Sequence, residues 1–171
     1  MVLIQNGNIQ LKMIDTTLKS ADIPSPLWDI YKDVYFAPCS ATHHYLNGAI
    51  ISLWNPNGKS LNNHQNSFFA KKNISLISRQ QISINYLYGG NENMSYREFS
   101  ISINTSLANA QKIAQRCRQN AFYYLSEGQI TLYNSMKLTQ YCRLNAHFLS
   151  RLCRTSIPKS NAAISKPTFL K

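Results

Sequence analysis

One short run constrains the fold more than any other feature. Asn47-Gly48 leads into Ala49-Ile50-Ile51-Ser52-Leu53-Trp54, and Asn55-Pro56-Asn57-Gly58 ends it. A nearly continuous apolar stretch between two turn signals reads as a central strand. The elements around it follow from local pattern. Ser25-Pro26 is an N-cap and first-turn proline for a short helix carrying Leu27, Ile30, Tyr31 and Val34. Val34 to Ala37 is strand-like, and Pro38, which cannot donate to a ladder, places it at a sheet edge. Asn47-Gly48 predicts a hairpin joining that strand to the central one.

After the central strand, Ser60 is a candidate cap for a helix over 61–78, with Phe68, Phe69, Leu76 and Ile77 as its apolar stripe. Ile82, Ile84, Tyr86 and Tyr88 alternate with polar residues, and Phe99, Ile101 and Ile103 repeat the pattern beyond Gly89-Gly90-Asn91, which predicts a hairpin. Ser106 caps a helix whose Leu107, Ala110, Ile113, Ala114 and Cys117 share one face. Ala121 to Leu125 and Gln129 to Tyr133 flank Ser126-Glu127-Gly128 as a last hairpin. From the central strand onward the order is strand, helix, strand, strand, helix, strand. This predicts an α+β, ferredoxin-like (split βαβ) antiparallel sheet with helices on one face, an N-terminal hairpin and an extra C-terminal helix. The expected organisation is an extended arm over 1–24, a core domain over 25–134, a basic helix over 135–155 and a flexible basic tail over 156–171. With 171 residues, 44% of them hydrophobic, the chain has material for one core and not for two.

Charge carries the functional signal. Eighteen Lys and Arg against seven Asp and Glu give a net +11, as expected of a protein facing a polyanion. The balance is uneven. Four of the acids fall in 1–33, whereas 128–171 holds seven bases and no acid. Those C-terminal bases either find acids in the N-terminal segment or stand as positive potential. On the predicted last helix, Arg143, His147, Arg151 and Arg154 follow at spacings that share one face, a row suited to backbone phosphates. Lys159, Lys166 and Lys171 extend the row into the tail, and Lys71 and Lys72 add cations on the second helix. Solvated basic surface is the plainer alternative.

Other chemistries are poorly served. Cys39, Cys117, Cys142 and Cys153 form no Cys-x-x-Cys pair, so neither a zinc ribbon nor a disulfide framework is indicated and reduced thiols are expected. No phosphate loop of the Walker type and no dinucleotide fingerprint occur. Glu92, Glu98 and Glu127 are widely separated, which argues against paired-carboxylate or metal-dependent hydrolysis. No metal and no cofactor is expected. Met1 to Ile4 is only a short apolar run with no basic flank before the polar Gln5 and Asn6, which argues against a secretory signal, and no stretch approaches membrane-spanning length, so a cytoplasmic location is expected.

Three segments carry a family resemblance. Ala49 to Pro56 precedes a Ser- and Asn-rich helix start, Tyr96, Glu98 and Ser100 form an aromatic-x-Glu-x-Ser segment, and Gln119 and Ala121 match part of a Gly-Gln-x-Ala segment. In order and spacing these resemble the bacterial domain-of-unknown-function family DUF3293 over about residues 28 to 133. Arg118 replaces the glycine and Tyr96 a tryptophan. The resemblance implies no activity, but it singles out Trp54, Asn55, Glu98 and Gln119. If the central strand ends beside the next helix start, these residues form a small polar pocket for an anion or a backbone group. The alternative is a plain turn at Asn55-Pro56, with Glu98 and Gln119 satisfying buried backbone groups.

The sequence therefore supports three expectations. The first is a small RNA-binding protein, ribosome-associated, holding structured RNA by its phosphates. The second is a small enzyme or nucleotide-binding domain built on the Asn55, Glu98 and Gln119 pocket. The third is a module docking an acidic protein partner.

Overall fold

The computed structural model describes residues 22–153. Its frame is one seven-stranded sheet, antiparallel at every pairing, with strands β1 (Tyr35–Pro38), β2 (Gly48–Ser52), β3 (Ile84–Gly90), β4 (Arg97–Ile103), β5 (Ala121–Ser126), β6 (Gln129–Asn134) and β7 (Tyr141–His147). Three helices accompany it, α1 (Ser25–Lys32), α2 (Asn63–Ser78) and α3 (Leu107–Arg116). The spatial order is β1-β3-β4-β2-β5-β6-β7.

The apolar run of β2 sits at the middle of the sheet, flanked by β4 and β5, as its composition demands. Gly48 opens it at φ +96°, where an added Cβ would lie 2.1 Å from the Ile103 carbonyl oxygen. Only glycine fits so close an approach. Both edges of β2 being taken, β1 cannot pair with it. The expected N-terminal hairpin is therefore not formed: β1 pairs with β3, from Tyr35 opposite Gly90 to Pro38 opposite Leu87. Pro38 does lie on an edge strand. The intervening chain instead folds over the sheet, where the Tyr45 hydroxyl donates to the Tyr86 carbonyl at 2.6 Å.

The helix starts follow capping chemistry more than expected. Asn62, not Ser60, caps α2: its side chain accepts from the Gln65 amide at 2.9 Å, and the Gln65 side chain accepts from the Asn62 amide at 3.1 Å. Ser106 caps α3 as its position predicts. Pro24 holds the cap position of α1, with no side-chain hydrogen bond.

The predicted basic helix over 135–155 is absent. Its described residues, which end at Cys153, form β7 and a 3-10 turn at Phe148–Arg151. The exposed edge of β6 offers backbone partners that an isolated helix would leave unused, and β7 takes them, with Leu132 opposite Cys142 and Tyr133 opposite Tyr141. Cys142 and Leu144 then pack with Leu132, Ile23 and Trp28.

Helices cover both faces, which corrects the one-sided arrangement. α2 and α3 press Ala70, Ile77, Ala110, Ile113 and Ala114 onto Ala49, Ile51, Leu53, Phe99, Ile101, Ile103 and Phe122. On the opposite face, Phe36, Tyr45, Ile50, Leu87, Leu125, Ile130 and Phe148 make a second cluster, which α1 extends through Trp28. Ile50 and Ile51 point to opposite sides of β2, so each side needs a cover.

Candidate functional site

On the α1 face of the sheet the strands carry small residues, and the space they leave is a cavity of about 570 Å³. Its floor is Ser52 on β2, Gly89 on β3, Ser100 on β4 and Ala121 at the start of β5. Ser52 lies directly opposite Ser100, and Gly89 opposite Glu98, so register brings these positions into one patch. Leu27, Ile30 and Tyr31 of α1 form an apolar wall, Phe36 and Ile50 continue it, and Tyr96 and Tyr123 add aromatic rings.

Asn55, Glu98 and Gln119 all line this cavity. Asn55 ends the central strand in the left-handed region at φ 51°, a conformation asparagine tolerates better than most residues. Its Oδ1 accepts from the Leu61 amide at 3.0 Å and from Asn66 Nδ2 at 3.1 Å, while its own backbone N–H donates to Asn66 Oδ1 at 2.9 Å. With the oxygen occupied by two donors, the amide nitrogen is turned to Glu98, and Nδ2 donates to Oε1 at 2.7 Å. The Tyr96 hydroxyl donates to the same Oε1 at 2.8 Å. Glu98 Oε2 has no partner among the described residues, and no ion pair there neutralises the carboxylate. Gln119 spends its Nε2 on the Trp54 carbonyl at 2.9 Å, anchoring β5 to the end of β2.

Both sequence alternatives therefore hold in part. Asn55 does shape a turn, its carbonyl accepting from the Gly58 amide at 3.0 Å, and Gln119 does satisfy backbone. Glu98 is bound by side chains instead and lines the cavity. Trp54 is corrected: it is buried on the opposite face against Tyr88 and Phe99, and it lines no part of the cavity. Asn66, buried on α2, is the residue that sequence reasoning missed. Its spacing in a polar helix start looks like any capping region, and only the return of α2 beneath Asn55 gives it a role.

The electrostatics do not suit an anion. No Lys, Arg or His of the described chain lines the cavity, whereas Glu98 and, at its rim, Asp33 do. At the start of α2 the Gln65 amide is taken by Asn62, and the Leu61 amide just before the helix by Asn55. Burial pushes the Tyr31 phenol up, with the charge of Glu98 adding to it. Tyr96 is pushed up to about 12 by burial of its hydroxyl and then by Glu98, so it stays a donor to the carboxylate at neutral pH. Tyr123 is raised by burial, and its hydroxyl donates to the Tyr31 carbonyl at 2.8 Å, tying α1 to the sheet.

The predicted phosphate-binding row is dispersed. Arg143 is exposed on the edge strand β7. His147 is structural: its Nδ1 accepts from the Leu149 amide at 3.2 Å, and its ring packs so closely on Gly128 that a Cβ there would lie 2.1 Å from Nε2. Arg151 is drawn inward, 3.4 Å from Asp33 and 5.1 Å above the Tyr35 ring. Lys71 and Lys72 are exposed on α2. Arg154, Lys159, Lys166 and Lys171 lie outside the described residues.

Among the described residues no helix is long and apolar enough to cross a membrane, and no group of three or more His, Cys, Asp or Glu could hold a metal ion. Comparison with known proteins returns no match to a family model, a curated protein or a solved structure.

Proposed function

We propose that this protein binds a small organic ligand in the cavity under α1, and that the ligand is cationic, an amine or guanidinium on an apolar stem. The observation that carries this reading is the Glu98 carboxylate: it lines a cavity of about 570 Å³, one oxygen is fixed by Asn55 and Tyr96, and no Lys, Arg or His among the described residues lines that cavity. A carboxylate so placed gains from a charged donor, and aromatic side chains around it favour the same cation. Preformed concave sites of this size, mostly apolar with a few placed polar groups, are the usual form of small-molecule sites. The same features disfavour the anionic substrate expected from sequence.

Thermal shift of the full chain tests this with tyramine, agmatine, the neutral analogue 4-ethylphenol and AMP. A ligand at one hundred times its Kd adds about 2.7 kcal/mol to stability, a shift of several degrees. An amine is expected to raise Tm in the wild type and not in Glu98→Gln, with 4-ethylphenol and AMP without effect. A shift from AMP alone, or none from either amine, overturns the reading.

We read β2 to β5 with α2 and α3 as a split βαβ unit, supported by their spatial order β3-β4-β2-β5 and by both helices sharing one face. We place the protein in the cytoplasm, supported by four cysteines that form no disulfide among the described residues.

A further inference from the structure

The helix layer on the other side of the sheet has a different character. α2 turns Asn66, Ala70, Asn73 and Ile77 into the core, and its outward stripe is His64, Phe68, Lys72, Ser75 and Arg79, at spacings of four, four, three and four. Lys71 stands beside it. α3 buries Ala110, Ile113 and Ala114 and exposes Lys112 and Arg116, and Arg118 follows at its end. Neither helix contains an acid. The acids of the described chain lie on α1 and its flanks (Asp22, Asp29, Asp33), in the cavity (Glu98) and in turns (Glu92, Glu127). Folding thus keeps the acids of the described chain off α2 and α3, and three of them are paired with Lys32, Lys137 and Arg151. Within the basic layer Phe68 is 68% exposed, an aromatic ring in water among cations.

From this arrangement we infer that the outer surface of α2 and α3 is an RNA-binding face. The cations meet backbone phosphates, and Phe68 stacks on an unpaired base. Phosphate contact needs several cations without competing acids, and among the described residues Lys72, Arg79, Lys112 and Arg116 stand on a helix layer that carries none. An exposed ring between cations is the arrangement by which proteins hold splayed bases, and folded RNA offers such bases in its loops. An acidic protein would be served by the cations alone and would leave the ring unexplained. The polyanion expectation from composition is thereby moved from the C-terminal segment to the helix layer, and it is independent of the cavity.

Fluorescence anisotropy with a labelled 20-nucleotide single-stranded RNA tests it, beside a duplex RNA of equal length and polyglutamate of equal charge. The variants are the triple charge reversal Lys72→Glu, Arg79→Glu, Arg116→Glu, the single Phe68→Ala, and Arg143→Glu as a basic control on β7. All of these positions are exposed, and unfolding midpoints report whether each variant keeps its fold. The triple variant is expected to weaken single-stranded RNA binding more than about tenfold, and to flatten the dependence of log affinity on log salt by about 2. Phe68→Ala is expected to weaken single-stranded binding about fivefold or more and to leave the duplex within about twofold, given the usual worth of one stacked base. Arg143→Glu is expected to stay within about twofold. RNA binding by the folded triple variant at wild-type strength overturns the inference, as does polyglutamate binding as tightly as RNA or no binding of RNA by the wild type.

Discussion

The two faces of the sheet are built from the same strands and differ in what they leave empty. Toward α2 and α3, alternate strand positions carry Ile51, Phe99, Ile101 and Ile103, all at zero exposure, and the layer is filled. Toward α1, the neighbouring positions are Ser52, Glu98 and Ser100 with Gly89 beside them, and the layer is hollow. The first arrangement is what close packing rewards. The second gives up dispersion contacts and keeps a carboxylate lining the cavity, which a protein selected for stability alone has no reason to retain. The charge outside differs too: cations without acids on the helices over the filled face, and around the hollow one Asp22, Asp29 and Asp33, each paired with a base.

Neighbouring substitutions on one strand should therefore act differently. The largest effect is expected from Ile101→Ala, which opens a hole in the filled face and should cost about 2–5 kcal/mol in urea unfolding. A cost below about 1 kcal/mol would show that this face is no better packed than the other. Asn66→Ala should come next, at about 1–3 kcal/mol, because it strands the Asn55 amide and frees its side chain. It should also abolish the amine-induced Tm shift without touching the ligand. Retained amine binding would separate Asn66 from the site.

Alkaline pH should loosen the α1 face. Tyr31, Tyr96 and Tyr123 have phenols raised above 10, so the unfolded chain releases these protons first and binds fewer than the folded one. Stability is then complete below about pH 10 and falls as pH rises toward the folded values, about 12 for Tyr96. Denaturation midpoints across that range check the sign, and a flat profile would contradict it.

Gly89→Ala should move stability the other way. Its new methyl would meet Ser100 Oγ at 3.7 Å and Phe36 at 3.8 Å, ordinary contact, so the folded state accepts it while the unfolded chain loses freedom. A gain of about 0.4–1 kcal/mol is expected, together with a smaller cavity and weaker amine binding. A loss of stability would mean that the floor is already full. The smallest effect belongs to the surface: Lys137→Ala breaks an exposed pair with Asp22 at 2.9 Å and should change stability by less than about 1 kcal/mol.

Much of this was legible where local rules act alone. The β3–β4 and β5–β6 hairpins announce themselves in the alternation of Ile84, Tyr86 and Tyr88 and in Glu127-Gly128, both at positive φ. The end of the chain was not, because Tyr141 to His147 satisfies two periods at once. Arginine and apolar spacing suit a helix, while Cys142, Leu144 and Ala146 alternate with Tyr141, Arg143 and Asn145 as a strand would. The free edge of β6 decided between them. Among the site residues, Asn55, Glu98 and Gln119 were singled out by resemblance and are brought to one cavity. Trp54 was not legible because it lies past the end of β2 in a bend, where strand alternation lapses, and it packs in the same cluster as its neighbour Leu53 and not on the Ser52 side.

The sequence by itself determined the α+β composition, the central place of Ala49 to Trp54, and a surplus of positive charge that must be displayed somewhere. Only the tertiary structure decided where. Strand register placed small residues over one another to open the cavity, Asp22 and Asp33 drew Lys137 and Arg151 out of the C-terminal basic run, and the packing of α2 and α3 left their cations outward. Each of these depends on contacts between residues far apart in the chain, such as Asp33 with Arg151, and local propensity carries no information about them.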